Sequence, residues 1–204
     1  TVTLWDVATG RIVRTVRVEG NWDRSLALAP DGRTLALIGS DDTAGIAHAV
    51  IALWDVATGQ EVRTLRRQGS NSVSPVFAPD GRMLAAVESL AMSKRNGDVT
   101  LWDVVTGQEI RTLRGYAREP VRTVFAPDGQ ILAVGSDDGV IILWDMVTGR
   151  ALHTLREHES RIRSMAFAPD GRMLATGDWS GGTVILWEVA TGRAVRTVRV
   201  PNDA

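Results

Sequence analysis

The chain has 204 residues, a formal net charge of −1 and 44% hydrophobic residues. The near-zero charge gives no global field toward nucleic acid or an anionic lipid surface, and no apolar run reaches the ~20 residues of a membrane-spanning helix. The absence of cysteine excludes disulfides, thiolate metal sites and Cys nucleophiles.

In chain order the first predicted element is a strand pair at 1-18, around Trp5 and the turn ending at Gly10. Four longer units follow, at 21-67, 68-115, 116-157 and 158-200, each with four short apolar runs of strand length. The third unit shows the pattern: Val121 to Phe125, Ile131 to Ser136, Val140 to Asp145 and Ala151 to Leu155. Ala-Pro-Asp-Gly separates the first two runs of each unit, at 29-32, 78-81, 126-129 and 168-171. Pro presets φ, Asp bonds its own backbone and Gly accepts positive φ, so this is a turn with a mechanism. Thr-Gly closes a second turn at Gly59, Gly107, Gly149 and Gly192. A period of 42–49 residues marks a repeat array rather than a single wound domain.

Two spacings divide each unit. From Trp5, Trp54, Trp102 and Trp144 to the next unit's Pro is always 25 residues. From each Pro to the following Trp it is 24, 23, 17 and 18. The variable half therefore holds the loop between the second and third strands.

The Pro-Asp-Gly turn, the Asp-Gly before the third strand, the Leu-Trp-Asp ending it and the Thr-Gly after it resemble, in that order, the WD-repeat β-propeller family. The resemblance covers essentially the whole chain. It implies an all-β fold of four complete four-stranded antiparallel blades, with strands a to d from the axis outward. It also implies that 1-18 supplies only strands c and d of another blade. The unmatched pair leads to the expectation of an open part of a larger propeller, with the remaining blades outside this segment.

In the family a loop His, a strand-b Ser or Thr, a turn Asp and the strand-c Trp often form a hydrogen-bonded series in each blade. On that pattern the third blade has Ser136, Asp138 and Trp144, with Tyr116 where the His should stand. The fourth has His158 and Trp187, with Ser180 near the Asp position. No blade is expected to keep the whole series. Trp54, Trp102, Trp144 and Trp187 then act as apolar anchors, with Asp138 and His158 as partial members. Packing, rather than the polar series, is expected to hold the blades.

Catalytic signatures are missing: no HExxH, Gly-x-Ser-x-Gly or Walker loop occurs. The pairs Asp41-Asp42 and Asp137-Asp138 read as turn residues rather than a cation site. The a-strand residues Leu26, Leu28, Val76, Val124, Met165 and Phe167 read as core, leaving nothing titratable to line a channel. No enzyme, cofactor or metal is expected. The outer-strand arginines, as in Val13-Arg-Thr-Val-Arg17, read as charges that oppose edge-to-edge pairing.

The resemblance implies a non-catalytic scaffold that binds a protein or peptide through the d–a and b–c loops of the top face. Candidate contacts there are Trp22, Trp179 and Tyr116, with Lys94 and Arg95 in the inserted second b–c loop; His48 lies in the first. Tyr116 and the two Trp also admit a packing role over neighbouring loops. Neither nucleic acid nor membrane is an expected partner. The competing expectation is a sensory or regulatory propeller module of a larger bacterial signalling protein, such as a kinase, a protease or a nucleotide-driven switch.

Overall fold

The computed structural model describes residues 1–16, 22–41, 48–67, 70–90, 97–116, 118–179 and 182–199, with backbone alone at 22–24, 40–41, 48–49, 67, 70–73 and 88–90. Eighteen strands and no helix form among these residues. The leading hairpin is β1 (Val2–Asp6) with β2 (Arg11–Val16). Blade 1 holds β3 (Trp22–Leu28), β4 (Thr34–Asp41), β5 (His48–Asp55) and β6 (Glu61–Arg67). Blade 2 holds β7 (Ser70–Phe77), β8 (Met83–Leu90), β9 (Gly97–Asp103) and β10 (Glu109–Leu113). Blade 3 holds β11 (Pro120–Phe125), β12 (Ile131–Ser136), β13 (Ile141–Asp145) and β14 (Ala151–Leu155). Blade 4 holds β15 (Ile162–Phe167), β16 (Met173–Asp178), β17 (Thr183–Glu188) and β18 (Arg193–Arg199). Each blade is an antiparallel meander in chain order.

The turns form by the local chemistry of their residues. In each a–b turn the Asp side chain accepts the backbone N–H two residues on, as Asp31 does from Arg33 and Asp128 from Gln130, both at 2.9 Å. In the c–d turn Asp55 Oδ1 accepts from Thr58 N at 2.6 Å and Thr58 Oγ1 at 2.8 Å, and Gly59 closes the loop at φ 70°. The same bonds hold Asp103 to Thr106 and Asp145 to Thr148.

Central strands of the inner blades are buried on both sides because those blades are sandwiched between neighbours. Leu132, Ala133 and Val134 of β12 are fully buried, as are Ile141 and Leu143 of β13. The core therefore lies between blades. Ile38, Ile51, Leu53 and Leu65 of blade 1 meet Phe77, Leu84 and Trp102 of blade 2. Val99, Leu101 and Leu113 meet Phe125 and Trp144 one junction on. Ile141, Leu143 and Leu155 meet Leu174 and Trp187 at the next. Every blade Trp in these clusters points back to the preceding blade. Burying roughly 200 Å² of indole contributes on the order of 5 kcal/mol before entropy is charged.

Two sequence expectations change here. Leu26 and Leu28 are half-exposed rather than core. Leu28 stands where blades 2 and 3 have Phe77 and Phe125, which pack against the preceding blade. Among the described residues a two-stranded hairpin precedes blade 1, and that contact is not made.

The outer arginines also do more than repel. Arg14 donates to Thr58 O at 3.1 Å, in the c–d turn of the next blade. Arg63 donates to Thr106 O at 2.9 Å and Val105 O at 2.8 Å. At the same strand position His153 Nε2 lies 3.1 Å from Ala190 O. Arg14, Arg63 and His153, at one equivalent position of their outer strands, are struts to the following blade's c–d turn.

Candidate interaction face

Hydrogen bonds separate the two ends of the blades. At one end the c–d turn bonds the a–b turn: Val104 N donates to Arg82 O and Met146 N to Gln130 O, both at 2.9 Å. At the other end the b–c and d–a loops meet: Asp137 N donates to Glu119 O at 2.9 Å and Trp179 N to Arg161 O at 3.0 Å. Arg161 also pairs with Asp137 at 3.6 Å across the junction of blades 3 and 4.

On this loop face Trp179 is 64% exposed, in contrast to Trp187 at 1%. The Arg163 guanidinium carbon sits 4.4 Å from its ring centroid, within reach of a cation–π contact worth ~0.5–1 kcal/mol at an exposed site. The pair forms a flat, amphipathic platform: an indole with a guanidinium over it, set by the start of β15 and the end of β16. Arg118 on the same loop face is exposed as well.

Tyr116 is elsewhere. It is 7% exposed, and its ring lies 6.1 Å from Trp144 at 54°. Its hydroxyl is buried without a hydrogen-bond partner, and burial pushes the phenol well above its ordinary value. The packing role is the one this geometry supports, so Tyr116 is removed from the contact set. Trp22 begins β3 with its Cα opposite Gly39, so its backbone is strand rather than loop; its side chain lies outside the described residues. Lys94, Arg95 and Asp42 lie outside them too, as do the side chains of His48 and Asp41.

The polar series is most developed in blade 4, where His158, Thr176 and Trp187 are hydrogen-bonded in sequence and Asp178 faces the imidazole. His158 Nε2 is 2.7 Å from Thr176 Oγ1, and Trp187 Nε1 donates to that oxygen at 2.8 Å. His158 Nδ1 faces Asp178 Oδ2 at 3.4 Å, with both side chains almost fully enclosed. With the imidazole proton on Nδ1, Nε2 accepts the Thr176 hydroxyl proton. The carboxylate comes from the end of β16, not from the b–c turn near Ser180.

Register explains why the other blades lack the series. Leu35, Leu84, Leu132 and Leu174 lie opposite Trp54, Trp102, Trp144 and Trp187. Two residues further on stand Leu37, Ala86, Val134 and Thr176. Only the last has a hydroxyl. Accordingly the indole N–H groups of Trp54, Trp102 and Trp144 are buried without partners. Ser136, expected as the strand-b hydroxyl of blade 3, instead sits 2.5 Å from Asp138 Oδ1 and 2.8 Å from Val140 O, closing the b–c turn. Sequence reasoning missed Thr176, Asp178 and Arg163; the Leu-Ala-Thr-Gly-Asp run of β16 against Leu-Ala-Val-Gly-Ser in β12 carried the signal for the first two.

Beside the series a cavity of about 590 Å³ is lined by Glu157, Glu159, Asp178, Thr183, Ile185, Thr197 and Arg199. Among the described residues, no group of three or more His, Asp or Glu is placed to hold a metal ion.

Residues 107–145 and 149–188 match the family model described as WD domain, G-beta repeat. With the four-stranded antiparallel sheets, these matched repeats are consistent with a WD-repeat family and with blades of β-propeller type. A comparison with curated proteins returns no match. WD repeats generally mediate protein–protein interaction and scaffolding, and the family is typically non-catalytic.

Proposed function

We propose that this protein is a non-catalytic scaffold that binds a protein or peptide partner through the d–a and b–c loop face, with Trp179 and Arg163 as its anchor. The observation that carries the reading is an exposed indole under a guanidinium on the face whose loops vary between blades. Trp and Arg are the residues that most often dominate binding energy at interfaces, and loops on a rigid scaffold are the usual carriers of recognition. By their place in the sequence, Trp22 at the start of β3 and Lys94 and Arg95 in the second b–c insertion are further candidate contacts.

The opposite face supports no such reading. Its Pro-Asp-Gly and Thr-Gly turns are nearly identical from blade to blade. A photo-crosslinking residue at position 179, compared with one at Gln130 in an a–b turn, tests the assignment. The partner should be trapped from position 179 and not from position 130. Trapping from 130 alone would reverse the assignment of faces.

A further inference from the structure

Arg163 sits at the bulge of β15. Ile162 pairs with Asp178 and Ser164 with Gly177, so residue 163 has no partner across the ladder, and a bulge re-aims the side chain it carries. From the preceding blade, Arg122 Nε donates to Arg163 O at 3.0 Å and holds that backbone in place. The bulge of blade 3 carries Val121, which is buried. The longer Arg163 instead reaches the b–c turn, its guanidinium carbon 4.4 Å from the Trp179 ring centroid. That turn is open at an internal junction too. Asp137 N donates to Glu119 O as Trp179 N donates to Arg161 O, which makes Asp137 the blade 3 equivalent of Trp179. Its side chain is 49% exposed with blade 4 packed beside it, so exposure belongs to this place in the repeat.

Three arginines around the turn are used differently. Arg161 pairs with Asp137 at 3.6 Å. Arg122 gives Nε to Arg163 O and Nη1 to Val121 O, both at 3.0 Å. The Arg163 guanidinium makes no hydrogen bond or ion pair with any described residue. Stacking on an indole covers one face of a guanidinium and leaves its in-plane N–H donors clear. Those donors match a carboxylate or phosphate in a two-point contact. The indole also restricts the side chain in advance, so less rotamer entropy is lost when a ligand docks.

Resting on the reading that the loop face binds a partner, we propose that this partner presents an acidic segment. One Asp or Glu carboxylate of that segment lies in the plane of the Arg163 guanidinium. An apolar neighbour of the acid packs against the exposed part of the Trp179 indole. One unpaired guanidinium balances one negative charge. Asp137, beside Arg161 at the neighbouring turn, adds a like charge that disfavours a doubly charged phosphate.

A displayed library of random octapeptides, selected on the full chain, supplies the probe. The wild type should enrich peptides with Asp or Glu at one fixed position beside an apolar residue. The best peptide, labelled with fluorescein, is then titrated by anisotropy beside two remade forms in which glutamine or phosphoserine replaces that acid. Glutamine should weaken binding about tenfold, the scale of one charge-assisted contact, and phosphoserine should bind no more tightly than the acid. Arg163→Gln should lose the preference for acid over glutamine. Arg163→Lys, which keeps the charge without the fork, should recover only part of it. The preference is a ratio read within each variant, so a change in folded fraction cancels. Trp179→Ala separates this proposal from the reading it rests on. If no peptide is selected, or the selected peptides bind Trp179→Ala as they bind wild type, the loop-face reading fails and the proposal with it. If the peptides need Trp179 but carry no fixed acid, keep their preference on Arg163→Gln, or favour phosphoserine, the face stands and the carboxylate is overturned.

Discussion

One hydroxyl decides how blade 4 differs from its neighbours. Thr176 Oγ1 satisfies Trp187 Nε1 and His158 Nε2 together, while the equivalent Val134 leaves Trp144 Nε1 with no partner. An unsatisfied buried donor costs about 1–3 kcal/mol. Thr176→Val should therefore destabilise the protein by roughly 2 kcal/mol, read as a lower midpoint in urea unfolding. The reverse change, Val134→Thr, puts a hydroxyl in reach of Trp144 Nε1. It should cost less than about 0.5 kcal/mol or stabilise, although Val→Thr in an apolar core is ordinarily unfavourable. Equal losses from both substitutions would show that register does not place the hydroxyl as described.

At the scale of the element, turns and struts set the order of blades. The Thr58 backbone N–H, then its hydroxyl, holds the Asp55 carboxyl below the usual carboxylate range; Thr106 and Thr148 do the same for Asp103 and Asp145. A depressed folded value means stability that is full above the unfolded value near 3.8 and lost as pH falls through the folded one. Asp103→Asn should accordingly lower the melting temperature at neutral pH, and its difference from wild type should shrink on acidification below about pH 4. A difference independent of pH would mean that the charge is not what the turn uses. Arg63→Ala removes two bonds to the next blade and should cost about 1 kcal/mol in thermal unfolding, given the exposure of the strut. No change would make Arg63 a surface charge only.

These elements also show what a sequence discloses. The strands and both turns were legible because Pro-Asp-Gly and Asp-x-x-Thr-Gly fold by bonds within a few residues of each other. The b–c variation was legible as a change in spacing. The struts were not, because Arg63 finds the Thr106 carbonyl only once two blades pack. The His158, Thr176 and Trp187 bonds of blade 4, with Asp178 beside them, were missed for a related reason. Asp178 is supplied from a strand end instead of the turn, and only register shows that Thr176, not Ser136, marks the working position. Tyr116 looked like a surface aromatic because its loop position is visible in sequence and its packing on Trp144 is not.

Over the whole molecule, the blades stack through backward-pointing tryptophans, while Trp179 lies outside that pattern on the loop face. An exposed aromatic beneath an arginine, outside the cores between blades, is the feature that favours partner binding. The affinity of the crosslinked partner for Trp179→Ala, measured together with the variant's melting temperature, separates function from folding. Affinity should fall about tenfold or more, the scale of an interface anchor, with melting unchanged within the ~0.5 kcal/mol typical of a surface substitution. Undiminished affinity, or a fall in binding that tracks a fall in melting temperature, would contradict the account.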